Sequence, residues 1–141
     1  MERVSRKEFR RLMEERTLAF SVSTFRLLDA LPARPSCSVI ARQLGKSASS
    51  IGANYREACR AESADDFAHK ISIATKEAAE TEYWFGVLAG LCPDNDDNKP
   101  LAAEAVELRN LMQAISASSR GIGRTGSASF KQSNHQKIKQ L

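Results

Sequence analysis

Glycine and proline, which interrupt helices, and cysteine, which can form disulfides, are scarce in this chain of 141 residues. Its seven glycines and four prolines are too few for the tight turns of a β-sandwich or barrel. Three cysteines, without a Cys-x-x-Cys spacing, argue against a disulfide framework or zinc site and favour free thiols. No apolar run approaches the roughly 20 residues of a membrane span, and residues 1–7 lack the apolar core of a secretion signal. We therefore expect a helical protein in the cytoplasm.

The charge balance is only mildly basic, but the charges are unevenly distributed. The chain has 21 Lys and Arg against 17 Asp and Glu, a net charge of +4. No acid follows Glu107, and the segment 34–60 holds a single acid, Glu57. The five cations of that segment are Arg34, Arg42, Lys46, Arg56 and Arg60. One part of the folded molecule should therefore be electropositive.

Apolar residues recur at steps of three and four along four segments, at about residues 5–31, 36–60, 63–91 and 99–120. This period is that of one helix face. Pro32 and Pro35 separate the first two segments, and the Asp- and Asn-rich run 93–98 separates the last two. Four long helices with short links predict an all-α fold, an antiparallel up-down-up-down four-helix bundle over residues 1–120.

Two segments fall outside the simple bundle pattern. The third helix carries two adjacent apolar stripes, which indicates burial on more than one side, within the bundle or between subunits. Residues 121–141 are rich in Ser, Gly, Gln, Asn and Lys, which predicts a disordered basic tail. Within it, residues 121–126 match the dinucleotide fingerprint G-x-G-x-x-G, but no strand precedes them, so we reject a nucleotide site there.

Glu77 and Glu80 are spaced to lie on one helix face. Two such carboxylates could face a metal, but a carboxylate-bridged site in a bundle also needs Glu-x-x-His pairs from facing helices, which this sequence lacks. We expect the two acids to pair instead with Ser47, Asn54 or Arg56 on the second helix. The sequence thus predicts a structural polar seam of Ser47, Asn54, Glu77 and Glu80, and no metal or other cofactor.

The cations of the second helix form two pairs, Arg42 with Lys46 and Arg56 with Arg60. The members of each pair are four residues apart and share a helix face. They could bind phosphate or could form an ordinary solvated face, and their residue types alone do not decide between the two. Basic residues in the tail favour a polyanion partner. The candidate nucleic-acid-binding residues are Arg42, Lys46, Arg56, Arg60, Arg124 and Lys131.

Two stretches of the chain are distinctive, SIGANYREACRAES at 50–63 and DFAHKISIATKEAAETEYW at 66–84. They closely resemble the bacterial four-helix-bundle family named for proteins encoded in intervening sequences of 23S rRNA genes. The resemblance covers about residues 8–119. It implies a bundle that assembles into a ring, typically a homopentamer. Relatives include the accessory protein of diversity-generating retroelements, which binds nucleic acid and a partner reverse transcriptase.

These observations favour a non-enzymatic oligomeric module that binds nucleic acid, with RNA favoured, through phosphate contacts. The clustered cations and the family resemblance support this interpretation. The alternative is a protein–protein interaction scaffold that does not touch nucleic acid, which the modest net charge supports. A reverse transcriptase or another protein is a possible partner under either hypothesis, and the family pattern supplies no catalytic residues.

Overall fold

Four α-helices form the whole architecture of the computed structural model, which describes residues 3–121. Helix α1 spans Arg6–Asp29, α2 spans Pro35–Cys59, α3 spans Ala64–Leu91 and α4 spans Asn98–Gly121. Each boundary lies within two residues of the position that the apolar period predicts, so the all-α bundle is confirmed. The predicted tail, residues 121–141, lies outside the described residues except for Gly121, which ends α4.

Local chemistry explains where these helices begin. Ser5 Oγ accepts a hydrogen bond of 3.0 Å from the backbone N–H of Glu8, and Ser63 Oγ accepts one of 3.0 Å from that of Asp66. Each serine thereby satisfies a backbone donor that the helix leaves without an internal partner. Pro35 is the first residue of α2, a position where its fixed φ fits and its missing N–H costs nothing.

The helices alternate in direction, and each packs against two neighbours. Helices α1 and α3 both contact α2 and α4, so α1 and α3 occupy diagonal corners of the bundle. The rings of Phe20 and Phe85 meet between these corners, with centroids 6.4 Å apart. The buried side chains of the core include Met13, Phe20, Ile40, Leu44, Ile51, Tyr55, Ile71, Phe85, Leu88, Leu108, Met112 and Ile115.

Close approach of two backbones fixes the position of α2 against α1. A Cβ added at Gly52 would lie 2.8 Å from Thr17 Oγ1 and 2.9 Å from Thr17 Cβ. At Gly45, an added Cβ would lie 3.0 Å from the ring of Phe25. The two glycines, spaced seven residues apart, therefore let α1 lie closer to α2 than any residue with a side chain would allow.

Ion pairs, rather than apolar contacts alone, connect α4 to its neighbours. The guanidinium of Arg16 on α1 donates two hydrogen bonds to the carboxylate of Glu104, at 3.0 Å and 2.6 Å. Arg109 on α4 forms an ion pair with Glu82 on α3 and donates one hydrogen bond of 3.2 Å to its carboxylate from Nη2. Arg16 is buried, and the two-pronged contact supplies the partner that a buried charge requires. Within residues 3–121, no helix is both long and apolar enough to cross a bilayer.

Candidate functional site

Three cations of α2, together with Arg60 at the C-cap of that helix, share one face. At about 100° of rotation per residue, Arg42, Lys46, Arg56 and Arg60 fall within an arc of about 80°. Leu44, Ala58 and the other buried residues of α2 with side chains lie on the opposite side, whereas the buried Gly45 and Gly52 border this face. Arg42, Lys46 and Arg60 are exposed and Arg56 is half-buried. We call these four side chains and the surface between them the basic face of α2.

The basic face is long and its centre is flat. Its two cation pairs are offset by 14 residues, which corresponds to roughly 21 Å along the helix axis. Between the pairs, Ser49 and Ala53 occupy the same face with small side chains. Ser49 turns its hydroxyl back onto the helix and donates to the carbonyl of Gly45 at 2.8 Å. A linear polyanion can therefore approach the helix closely between two points of positive charge.

One acid on α2 borders this face, and its charge is already matched. The carboxylate of Glu57 lies 2.7 Å from Lys70 Nζ on α3. This hydrogen bond, followed by the attraction between the two charges, raises the pKa of Lys70. Glu57 is thus drawn across to α3, so it leaves the cations of α2 available to a ligand.

Lys46 has a less favourable setting than the three arginines. The Glu77 carboxylate lies near enough to Lys46 for the ammonium to act on its titration. Desolvation by burial, and then repulsion from Glu80, nevertheless raise the pKa of Glu77 above its usual value, and Lys46 offsets only part of that rise. Among residues 3–121, no side chain forms a hydrogen bond or ion pair with the Glu77 carboxylate. The arginines are therefore the stronger candidates for phosphate contact.

The polar seam between α2 and α3 has different members from the predicted ones. The hydroxyls of Ser47 and Thr81 are hydrogen-bonded at 3.0 Å, and both residues are buried. The side chain of Asn54 instead donates to the carbonyl of Ser50 on its own helix at 2.8 Å. The side chain of Ser47 therefore forms a hydrogen bond between the two helices, but that of Asn54 does not.

The predicted pairing of the two glutamates with α2 is wrong. Glu80 is exposed, and its carboxylate lies 3.4 Å from the indole nitrogen of Trp84 on its own helix. Glu77 is half-buried without a partner among the described residues. Both glutamates lie at the edge of the α2–α3 contact, where carboxylates stay partly hydrated, whereas Thr81 points between the helices.

Thr81 is the site residue that the sequence reasoning missed. It belongs to an apolar stripe of α3, and a buried threonine on such a stripe signals a hydroxyl partner on the facing helix. Ser47 was the polar position on α2 that could have identified it.

The candidate residues Arg124 and Lys131 lie outside the described residues. Within residues 3–121, no group of three or more His, Cys, Asp or Glu side chains is placed to hold a metal ion.

Comparison with known proteins identifies relatives of this chain. The family model described as 23S rRNA-intervening sequence protein matches residues 2–114. The chain is also similar to the crystal structure of a protein of unknown function from the S23 ribosomal protein family of Bacteroides thetaiotaomicron. The two are 33% identical over 74% of this chain and 97% of the other, with a TM-score of 0.68. No curated protein matches the sequence closely enough to count as a relative.

Proposed function

The chain belongs to the 23S rRNA-intervening sequence protein family, and we propose that it is a non-enzymatic, homo-oligomeric module that binds the phosphate backbone of nucleic acid, RNA in preference. The observation that carries the proposal is the basic face of α2. It presents four cations in one arc, while the one acid of that helix pairs with Lys70.

The chemistry of the face suits phosphate better than it suits a protein carboxylate. Three of its four cations are arginines, whose planar guanidinium donates two parallel hydrogen bonds to a phosphate. Successive phosphates of a strand recur at regular intervals, and a face roughly 21 Å long between pairs can contact several of them. No aromatic side chain lies on the face to stack on a base, so recognition should depend on the backbone rather than the base sequence.

Assembly would compensate for the small number of cations on one chain. Four phosphate contacts give weak binding at physiological salt. A closed homo-oligomer repeats the basic face on every subunit, so that one strand or duplex can engage several faces at once. We propose five subunits, the number that the family resemblance implies.

The test is a fluorescence-anisotropy titration of the full chain against labelled single-stranded RNA, duplex RNA and duplex DNA of equal length, at several salt concentrations. We expect binding that is insensitive to base sequence and falls steeply with salt, because released counterions drive it. RNA should bind more tightly than DNA. Absence of binding to all three at low salt would contradict the proposal and favour an interaction scaffold.

A further inference from the structure

A strip of large apolar side chains stays exposed on α1, on the side of that helix that borders α2. Leu18, Val22 and Phe25 are 54%, 42% and 46% exposed. At about 100° of rotation per residue, they fall within an arc of about 60°. Contiguous exposed apolar groups, unlike those scattered singly, indicate a surface that another molecule covers. We call these three residues the α1 strip.

The ring of Phe25 lies against the edge of the basic face. A Cβ added at Gly45 would lie 3.0 Å from Cε1 and 3.4 Å from Cζ of that ring. Gly45 borders the basic face, and its neighbours on that face are Arg42, three residues before it, and Ser49, four residues after it. An exposed aromatic ring therefore lies beside a cation of the basic face, although it belongs to another helix.

The α1 strip runs alongside the basic face. The approach of Phe25 to Gly45 and of Thr17 to Gly52 fixes the antiparallel register of α1 and α2. Leu18 is then level with about residue 52 of α2. The strip thus extends from the first cation pair into the flat stretch before the second pair. The two glycines have no side chains, so at these two points α2 places nothing between the strip and its own cations.

The acids near the α1 strip do not lie between it and the basic face. Three acids are within four residues of the strip: Glu14, Glu15 and Asp29. Glu15 pairs with Arg11 at 2.6 Å. Glu14 is half-buried, and its carboxylate lies near enough to the buried Tyr55 to act on its titration. Asp29 is about 40° further round α1 than Phe25, on the side away from Gly45.

A single strand of nucleic acid has the two chemistries that these neighbouring surfaces offer. Its phosphates carry negative charge, and its unpaired bases have apolar faces that stack on aromatic side chains. Such stacking tolerates any base, because every base has a π-face. In a duplex the bases are paired and stacked on each other. A duplex would therefore meet the cations of α2 but leave the ring of Phe25 without a base.

We infer that the basic face and the α1 strip together bind a single strand of nucleic acid, with its phosphates on the cations of α2 and an unpaired base stacked on Phe25. The inference rests on the proposed function and narrows its substrate class from nucleic acid in general to single strands. It also adds Phe25 as a binding residue. Val22 and Leu18 extend the apolar contact along the strand.

The experiment changes the ring and leaves every charge in place. Phe25→Leu removes the aromatic ring but keeps an apolar side chain, and Phe25→Trp restores an aromatic surface. The matched control is Tyr83→Leu, which removes an aromatic residue that is 64% exposed on α3. The labelled probes are a single-stranded RNA, the same strand annealed to its complement, and a strand of equal length that lacks bases.

Fluorescence anisotropy at low salt should show that the wild type binds the single strand more tightly than the duplex, and about fivefold or more tightly than the strand without bases. Phe25→Leu should lose about that factor for the single strand only. Its unchanged binding of the duplex and of the strand without bases also checks that it is folded. Phe25→Trp should restore the affinity, and Tyr83→Leu should leave it unchanged. A 2-aminopurine base in the single strand should lose fluorescence on binding to the wild type but not to Phe25→Leu.

The outcomes separate this inference from the proposed function. Unchanged binding of the single strand by Phe25→Leu, or an equal loss for all three probes, would overturn the inference and leave phosphate binding by α2 standing. Light scattering that gives Phe25→Leu a smaller mass than the wild type would show that another copy covers the strip, which also overturns the inference. A wild type that binds none of the probes would contradict the proposed function itself.

Discussion

The two sides of α2 differ in their side chains and in what those side chains contact. Its inner side consists of small or apolar residues in close contact, with Gly52 against Thr17 and Ser47 against Thr81. Its outer side carries long cations, three of them exposed and one, Arg56, half-buried. The inner side therefore holds the helix in place, and the outer side is left available to a ligand. Substitutions on the inner side should cost stability, and those on the outer side should cost binding.

Glycine substitutions should show the largest effect of this difference. Gly52→Ala would place a Cβ 2.8 Å from Thr17 Oγ1, and we expect it to lower the free energy of unfolding by about 1–3 kcal/mol. Gly86→Ala meets no atom within 4 Å and should raise it by up to about 1 kcal/mol, because alanine favours the helix. Chemical denaturation of both variants checks the opposite signs. Equal effects would show that the α1–α2 contact is looser than described.

The seam between α2 and α3 should give a smaller loss. Thr81→Val keeps the side-chain shape but removes the hydroxyl that bonds Ser47, and we expect a loss of about 1 kcal/mol in unfolding free energy. The double variant Ser47→Ala with Thr81→Val removes both groups. It should cost less than the sum of the two single variants, because it leaves no hydroxyl without its partner. Strict additivity would indicate that the two hydroxyls act independently.

Glu77 should have a weak effect whose sign depends on pH. Its pKa in the folded protein is raised, chiefly by burial, so the folded state disfavours the ionised carboxylate. The unfavourable contribution is absent below the ordinary value of 4.5 and appears as pH rises through the folded pKa. Glu77→Gln should therefore stabilise the protein slightly at pH 7, and the gain should vanish near pH 4. Thermal melts across this range test it, and a loss of stability at pH 7 would reveal an unrecognised partner.

Removing residues 121–141 should have a smaller effect on nucleic-acid binding than replacing the basic face. The removed segment contains Arg124, Lys131, Lys137 and Lys139. We expect the charges of this segment to add general attraction to a polyanion, whereas those of the basic face share one side of a helix. A truncated chain that loses as much affinity as the variant lacking the α2 cations would move the binding site to the C-terminal segment.

The helices could be predicted from the sequence, but the candidate site could be predicted only in part. Apolar steps and prolines are local signals, so the bounds of α1–α4 could be predicted closely. The common face of Arg42, Lys46, Arg56 and Arg60 could also be predicted, because it follows from their spacing along a helix. Contacts between helices depend instead on how each helix is rotated about its axis. That rotation determined that Thr81, and not Glu80, meets Ser47, and that Arg16 reaches Glu104.

The central claim is that the basic face binds phosphate without supporting the fold. Its most direct test replaces Arg42, Lys46, Arg56 and Arg60 by glutamine and measures RNA binding and stability together. The matched control replaces four other exposed cations by glutamine: Arg6, Lys7, Lys99 and Arg120.

We expect the α2 variant to bind RNA at least tenfold more weakly at low salt. The slope of log affinity against log salt should be shallower by about 3 for four lost single-strand contacts, with an unfolding free energy within about 0.5 kcal/mol of the wild type. The control should lose less affinity despite the same change in net charge. Equal losses in the two variants, or unchanged binding by the α2 variant, would contradict the account.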